Sequence, residues 1–262
     1  MLPVDPAPDE PIPNDPPAAD PEPYRPPPLA TWHWQLQGEV NTGYAVDVYG
    51  IDLFDSPSTL IADLQAAGRR VICYFSAGSF EDWRPDAAVF PDAVLGNPLD
   101  GWPGERWLDV RAASVREVMQ ARLDLAQAKG CDGVDPDNVD AYMQDTGFPL
   151  TADDQLDYNR FLAREAHARD LAVGLKNDLE QIPQLVADFD FAVNESCHVY
   201  DECDLLAPFV AAGKAVFNAE YAAVYVDDPA ARAALCASAL AAGLSTLVLP
   251  VELDGSFRFA CH

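Results

Sequence analysis

Gly130-Cys-Asp-Gly-Val-Asp-Pro-Asp-Asn-Val-Asp140 is the stretch on which the fold of this chain turns. Gly130 closes a segment of helical period, as glycines do just past helix ends. Cys131 to Val134 form an apolar lead of strand length. The run then opens into Asp135, Asp137, Asn138 and Asp140, with Pro136 stopping regular pairing. Helix, glycine, short buried strand and polar end together make the repeating unit of an α/β protein with a parallel sheet.

The unit recurs on both sides. Strand candidates fall at 32–37, 45–54, 70–76, 133–137, 171–176, 189–194, 214–219 and 244–251. Helix candidates fall between them at 56–67, 114–129, 151–169, 179–187, 204–212 and 229–242. Ser56, Ser114, Thr151 and Asp228 stand at N-cap positions, and Thr151 with Asp154 resembles a capping box. Gly68, Gly130, Gly213 and Gly243 each separate a helix from the next strand. Eight strands predict a single (β/α)8 TIM barrel over 29–262. A doubly wound sheet is the alternative, but no Gly-rich dinucleotide loop follows the first strand. Residues 1–28 carry twelve of the 23 prolines and six acids, so a disordered Pro-rich tether is expected ahead of the barrel. Met1 is expected to stand in place of a removed leader. Segment 77–111, with Trp83, Trp102, Trp107 and four prolines, is expected to be an extended loop after the third strand. That places it on the face where barrel active sites form, with indole faces suited to sugar rings.

A net charge of −27 argues against nucleic acid, which needs clustered Lys and Arg, and favours a cationic partner. No apolar stretch is long enough for a membrane span. Six cysteines fit an exported, disulfide-bonded protein that is extracellular or tethered at the cell surface. Cys197–Cys203 and Cys236–Cys261 are the natural pairs; Cys73 and Cys131 either pair or remain buried thiols. With four His and no CxxC, no zinc set and no cofactor are expected.

In a barrel the strand ends converge on one face. Here they carry Gln35, Asp52, Glu81, Asp82, Asp135, Asp137, Asn138, Lys176, Asn177, Asn194, Glu195, Asn218, Glu220, Tyr221 and Glu252. That rim offers carboxylates, amides and one lysine, without a Ser-His-Asp or Cys-His arrangement. Two carboxylates on two strand ends are what glycoside cleavage requires, in a closer retaining or a wider inverting spacing. A non-catalytic polysaccharide-binding protein on the same barrel is the rival from another class.

The runs Ile72-Cys-Tyr-Phe-Ser-Ala-Gly-Ser-Phe-Glu-Asp-Trp-Arg-Pro-Asp86, Val134-Asp-Pro-Asp-Asn-Val-Asp140, Gly174-Leu-Lys-Asn-Asp178, Val193-Asn-Glu-Ser-Cys197 and Ala215-Val-Phe-Asn-Ala-Glu-Tyr221 resemble glycoside hydrolase family 114. The resemblance extends from Leu29 to His262. It implies a (β/α)8 barrel and endo-α-1,4-polygalactosaminidase activity on galactosamine and N-acetylgalactosamine chains of exopolysaccharide. Its catalytic Glu falls on Glu195, and its catalytic Asp falls in the Asp135-Pro-Asp137 run. Asp137 is favoured as nucleophile because Asn138 follows it, as Asn follows the nucleophile in related α-galactosidase barrels; Asp135 is the other choice. Many relatives carry Glu where this chain has Asp135. Lys176 would keep Asp137 ionised. Tyr74, Asn138, Asn177, Asn194 and Tyr221 would contact sugar hydroxyls. Asp52, Glu81, Asp82, Asp135 and Glu220 would pair with the ammonium groups of deacetylated sugar. The expected partner is thus a cationic or partly acetylated galactosaminogalactan-type polysaccharide, met by a monomer.

Overall fold

In the computed structural model the described residues are 24–261. The strands, in chain order, are β1 Trp32–Gln35, β2 Val48–Asp52, β3 Arg70–Ser76, β4 Ser79–Glu81, β5 Leu95–Pro98, β6 Glu105–Leu108, β7 Gly133–Asp137, β8 Ala172–Lys176, β9 Phe191–Glu195, β10 Val216–Glu220, β11 Ser245–Val248 and β12 Phe259–Ala260. One sheet runs β1-β2-β3-β7-β8-β9-β10-β11-β12, parallel throughout except for β12. Its eight parallel strands follow one another in the order of the (β/α)8 TIM barrel that the sequence predicts, with one difference at the seam. Among the described residues no backbone ladder joins β11 to β1. The Trp32 indole donates to the Ser245 carbonyl at 2.8 Å, Arg258 donates to the Trp32 carbonyl at 2.6 Å, and Leu36 N–H donates to the Leu253 carbonyl at 2.9 Å.

Alternation along the strands sends one set of side chains inward and the other toward the helices. Trp32, Trp34, Val48, Ile72, Phe191 and Phe217 fill the interior. Leu53, Ile61, Met119, Leu123, Leu162 and Leu175 belong to a second cluster between sheet and helices. Gly50 makes room inside, since a Cβ there would stand 2.7 Å from the Trp34 ring.

Helices Ser58–Ala66, Ala113–Lys129, Ala152–His167 and Pro229–Ala241 match expectation. The expected helices 179–187 and 204–212 are shorter. Each begins as a 3-10 turn and yields only Ile182–Leu185 and Ala207–Ala211. Thr151 and Asp154 form the full capping box, and Asp228 caps through its side chain. Ser56 and Ser114 do not cap: the N-cap positions are Pro57 and Ala112, without a side-chain bond. Ser56 instead is buried, and its carbonyl accepts from Lys129 Nζ at 2.8 Å. All four separating glycines have φ between 69° and 85°.

Segment 77–111 is not the plain loop expected. It folds into an antiparallel sheet β4-β6-β5 standing over the barrel mouth. All six cysteines pair, as Cys73–Cys131, Cys197–Cys203 and Cys236–Cys261. Of the expected tether, residues 1–23 lie outside the described residues. Residues 24–28 lie against the barrel, where Arg25 meets Asp190 at 3.2 Å.

Candidate active site

The carboxyl ends of β3, β7, β8 and β9 meet at a cleft of about 970 Å³ roofed by the β4-β6-β5 sheet. At its floor Asp137, Lys176 and Glu195 come from three adjacent strands. Lys176 Nζ lies 2.9 Å from Asp137 Oδ1 and 3.0 Å from Glu195 Oε2. One nitrogen in contact with both oxygens keeps them within about 6 Å of each other.

Each catalytic-type group is followed by a residue in left-handed backbone: Asn138 at φ 61°, Asn177 at 49° and Ser196 at 61°. Asn tolerates this region better than most residues, whereas Ser does so at a cost. Such turns aim the strand-end side chain while freeing the next amide. The Asn138 N–H donates to Asp137 Oδ1 at 2.8 Å. Ala77 and Gly78 N–H both donate to the Asp137 carbonyl, at 2.8 and 3.0 Å. Gly78 is required there, because a Cβ would lie 1.7 Å from the Asn138 carbonyl oxygen.

Burial pushes Asp137 up, but Lys176, the Tyr74 hydroxyl at 2.8 Å and the Asn138 amide outweigh it, and its pKa is lowered. Burial pulls Lys176 down, but Asp137, Glu195 and Asp135 hold it above its ordinary value. Lys176 also sits 5.0 Å from the Trp34 ring centroid. Glu195 accepts from Tyr221 OH at 2.5 Å and from Asn177 Nδ2 at 3.3 Å. Asp135 lies two residues deeper on the same inward face, 2% exposed, with Oδ1 unpartnered. Burial raises its pKa to about 7, against the pull of Lys176 and with the push of Asp137 and Glu195.

The structure thus brings Tyr74, Asn138, Lys176 and Asn177 into the cleft with Asp137 and Glu195, and Tyr221 onto Glu195. Asp52 and Glu81 line the cleft, yet Arg84 already spans them. It bonds Asp52 at 3.0 and 2.7 Å and Glu81 at 2.8 Å. Asp82 is exposed and does not line the cleft. Asn194 and Glu220 point to the far side of their strands. Asn194 bonds Asn177 at 3.2 Å, and Glu220 is fully buried, accepting from His198 N–H at 2.9 Å and Asn218 at 3.1 Å.

Sequence reasoning missed Trp34, Arg84, Glu105 and Asp140, all of which line the cleft. The signal for Glu105 lay in the alternation of Glu105-Arg-Trp-Leu108, hidden by the surrounding prolines. Trp83 and Trp102 stand exposed on the cleft wall, while Trp107 is buried. The only group of potential metal ligands among the described residues is Cys197, His198 and Cys203, whose two sulfurs are joined as a disulfide.

Comparison with known proteins follows the same lines. The model of glycoside-hydrolase family GH114 matches residues 13–262. The crystal structure of Aspergillus fumigatus Ega3 in complex with galactosamine is 42% identical, with TM-score 0.87, covering 93% of this chain and all of that one. The glycoside hydrolase domain of PelA from Pseudomonas aeruginosa shares the fold at 16% identity and TM-score 0.68, covering 86% of this chain and 96% of that one. An uncharacterized protein of Deinococcus radiodurans is 29% identical over 265 residues, 88% of this chain and 84% of the relative. A family match of that length, joined by a 42%-identical structure, fixes the assignment: the protein is a glycoside hydrolase and belongs to family GH114.

Proposed function

We propose that the protein cleaves α-1,4-linked galactosamine and N-acetylgalactosamine polysaccharide by a retaining mechanism, with Asp137 as nucleophile and Glu195 as acid and base. The observation that carries this is the shared contact with Lys176. The two facing oxygens, Asp137 Oδ1 and Glu195 Oε2, are at most about 6 Å apart, which favours the closer pairing of a retaining enzyme, with carboxyl groups roughly 5–5.5 Å apart. Asp137 is favoured over Asp135 on two grounds. Asp137 lines the cleft and is held ionised by three donors. Asp135 is buried beneath it and keeps a proton up to about pH 7.

In the first step Glu195 protonates the leaving glycosidic oxygen while Asp137 attacks the anomeric carbon. The bond to the leaving sugar breaks and a glycosyl ester forms on Asp137. Glu195, now a carboxylate, takes a proton from water, which attacks the same carbon from the vacated side and releases Asp137. Tyr221 and Asn177 orient Glu195 through both steps.

Substrate class follows from charge. The residues lining the cleft include ten carboxylates against Arg84 and Lys176 alone, a field that favours an amino sugar over a neutral one. Ega3 was crystallised with galactosamine. Trp83 and Trp102 on the wall offer stacking faces along a chain longer than one sugar. Three disulfides suit an oxidising, extracellular setting, and no described helix is long and apolar enough to cross a membrane.

The test is incubation with partly deacetylated α-1,4-galactosaminogalactan, with products analysed by mass spectrometry and by the anomer first formed. The expected result is oligosaccharides released as the α-anomer by the wild type, and none by Asp137→Asn or Glu195→Gln. A first-formed β-anomer would overturn the retaining mechanism; an active Asp137→Asn would move the nucleophile elsewhere.

A further inference from the structure

Glu81 on β4 and Glu105 on β6 are directly opposite each other across an antiparallel pair. Residues so placed have Cβ atoms about 5 Å apart, and like charges there repel. Both side chains are buried, at 3% and 9% exposure, and both line the cleft. Each carboxylate is satisfied on one oxygen only. Glu81 Oε1 meets Arg84 at 2.8 Å, and Glu105 Oε2 accepts from the Ser79 hydroxyl at 2.7 Å. Glu81 Oε2 has no hydrogen-bond partner, the nearest cation being Arg122 at 3.8 Å. Glu105 Oε1 has no hydrogen bond from any described residue.

The cations around the pair are already engaged. Arg84 is shared with Asp52, and Arg122 is held by Asp86 at 2.8 and 3.0 Å and by the Ser76 carbonyl at 2.6 Å. The remaining groups facing Glu105 are Asp137 and the Tyr74 hydroxyl, neither of which supplies positive charge. Glu81, Glu105 and Asp52 thus share Arg84 as their one close cation, and this excess of buried negative charge on the cleft wall forms a site suited to a small positive group.

We propose that the Glu81–Glu105 pair is the seat for a substrate ammonium group, that of a deacetylated amino-sugar residue lying in the cleft. An –NH3⁺ carries three donors and one charge, enough to bond Glu105 on its free oxygen and to offset the repulsion between Glu105 and Glu81. An N-acetyl group in the same place brings no charge and leaves the repulsion standing. This rests on the proposed amino-sugar substrate, and names the residues that read its acetylation.

A proton signature accompanies it. Burial raises Glu105 to about 7, eased by Ser79 and Arg84 and reinforced by Glu81 and Asp137. Glu81 is raised as well, chiefly by burial and against Arg84 and Arg122. Below neutral pH the pair therefore holds a proton, which an entering ammonium displaces into solution. Binding of cationic sugar should release a proton and weaken as pH falls through about 7.

Two measurements test this. Calorimetry with a galactosamine tetrasaccharide, on Glu195→Gln protein to prevent turnover, is run at pH 6 in two buffers of different ionisation heat. Proton release is expected in that background and its loss when Glu105→Gln is added. Kinetics on deacetylated and N-acetylated oligosaccharides should show KM rising about tenfold or more for the deacetylated series alone in Glu105→Gln. Equal losses on both series, or binding without proton release, would overturn the assignment. So would Ca²⁺ or Mg²⁺ raising the Tm of wild type but not of Glu105→Gln, which would give the seat to a metal. A wild type that binds the tetrasaccharide with proton release yet cuts no polymer would sink the proposed reaction and leave this seat intact.

Discussion

The two ends of β7 and β9 carry the same residue types in opposite states. At the lower end Asp132, just before β7, accepts from Gln65, Arg70 and the Val71 amide at 2.9, 2.7 and 2.9 Å. Asp190, just before β9, accepts from Arg25, His167 and the Val173 amide at 3.2, 2.8 and 3.0 Å. Every carboxylate oxygen there has a donor. At the upper end Asp135, and Glu81 on β4 beside it, each keep a bare, buried oxygen, while Asp137 and Glu195 are fully bonded but share one lysine. Satisfied acids are a device for holding a barrel together; under-satisfied acids in a cleft are kept against their cost for what they do to a ligand.

The largest expected effect lies at the upper end. Asp137→Asn and Glu195→Gln should each lower kcat about 10³-fold or more while the Tm stays within a few degrees of wild type. Activity assays beside thermal denaturation check this. A variant that unfolds instead of losing turnover would erase the distinction between the two ends.

The pH dependence of stability should run in opposite directions. Asp135 is raised to about 7 from an unfolded value near 3.9. Its contribution is therefore complete below about pH 4 and is lost as pH rises through about 7. Asp135→Asn escapes that loss, so its stability relative to wild type should climb by up to about 4 kcal/mol between pH 4 and 8. Asp190 behaves the other way: burial raises it, but His167, the Val173 amide and Arg25 win, and its pKa is lowered. Its contribution is present above about pH 4 and fades as pH falls through the folded value. Asp190→Asn should cost about 2 kcal/mol at pH 7 and progressively less as pH falls below about 4, with kcat unchanged. Denaturant titrations across pH give both slopes.

A smaller effect of opposite sign is expected at Glu105. Removing one of two opposed buried charges while keeping the Ser79 contact should raise stability by up to about 1 kcal/mol, a Tm gain of about 2–4 °C. A substitution that stabilises the fold and weakens substrate binding is the mark of a residue retained for function.

Much of this was legible in the sequence. The strand–glycine–helix rhythm placed all eight parallel strands, because strand burial and helix caps are local properties of the chain. Asp137, Lys176 and Glu195 were legible because barrel topology brings successive strand ends together without further information. The Glu81–Glu105 pair was not, since it depends on a register set by an antiparallel sheet inside a proline-rich segment. The state of the rim acids was equally hidden. Nothing in Asp52 or Glu81 announces that Arg84 will reach both, and Asn194 and Glu220 face away from the cleft by the parity of a single residue.

The smallest effect isolates what makes the lower end robust. Arg25 is largely exposed, at 62%, while the Asp190 side chain it touches is 5% exposed. Solvent screens the pair from the Arg25 side, and exposed partners of this kind contribute roughly 0.2–1 kcal/mol. Asp190 Oδ2 keeps both the His167 ring and the Val173 amide when Arg25 is gone. Arg25→Ala should therefore cost no more than about 0.5 kcal/mol, shrinking further in 1 M salt, as read from the denaturation midpoint. A loss approaching that of Asp190→Asn would mean that Asp190 depends on one exposed contact, and the lower end would then be no better secured than the mouth.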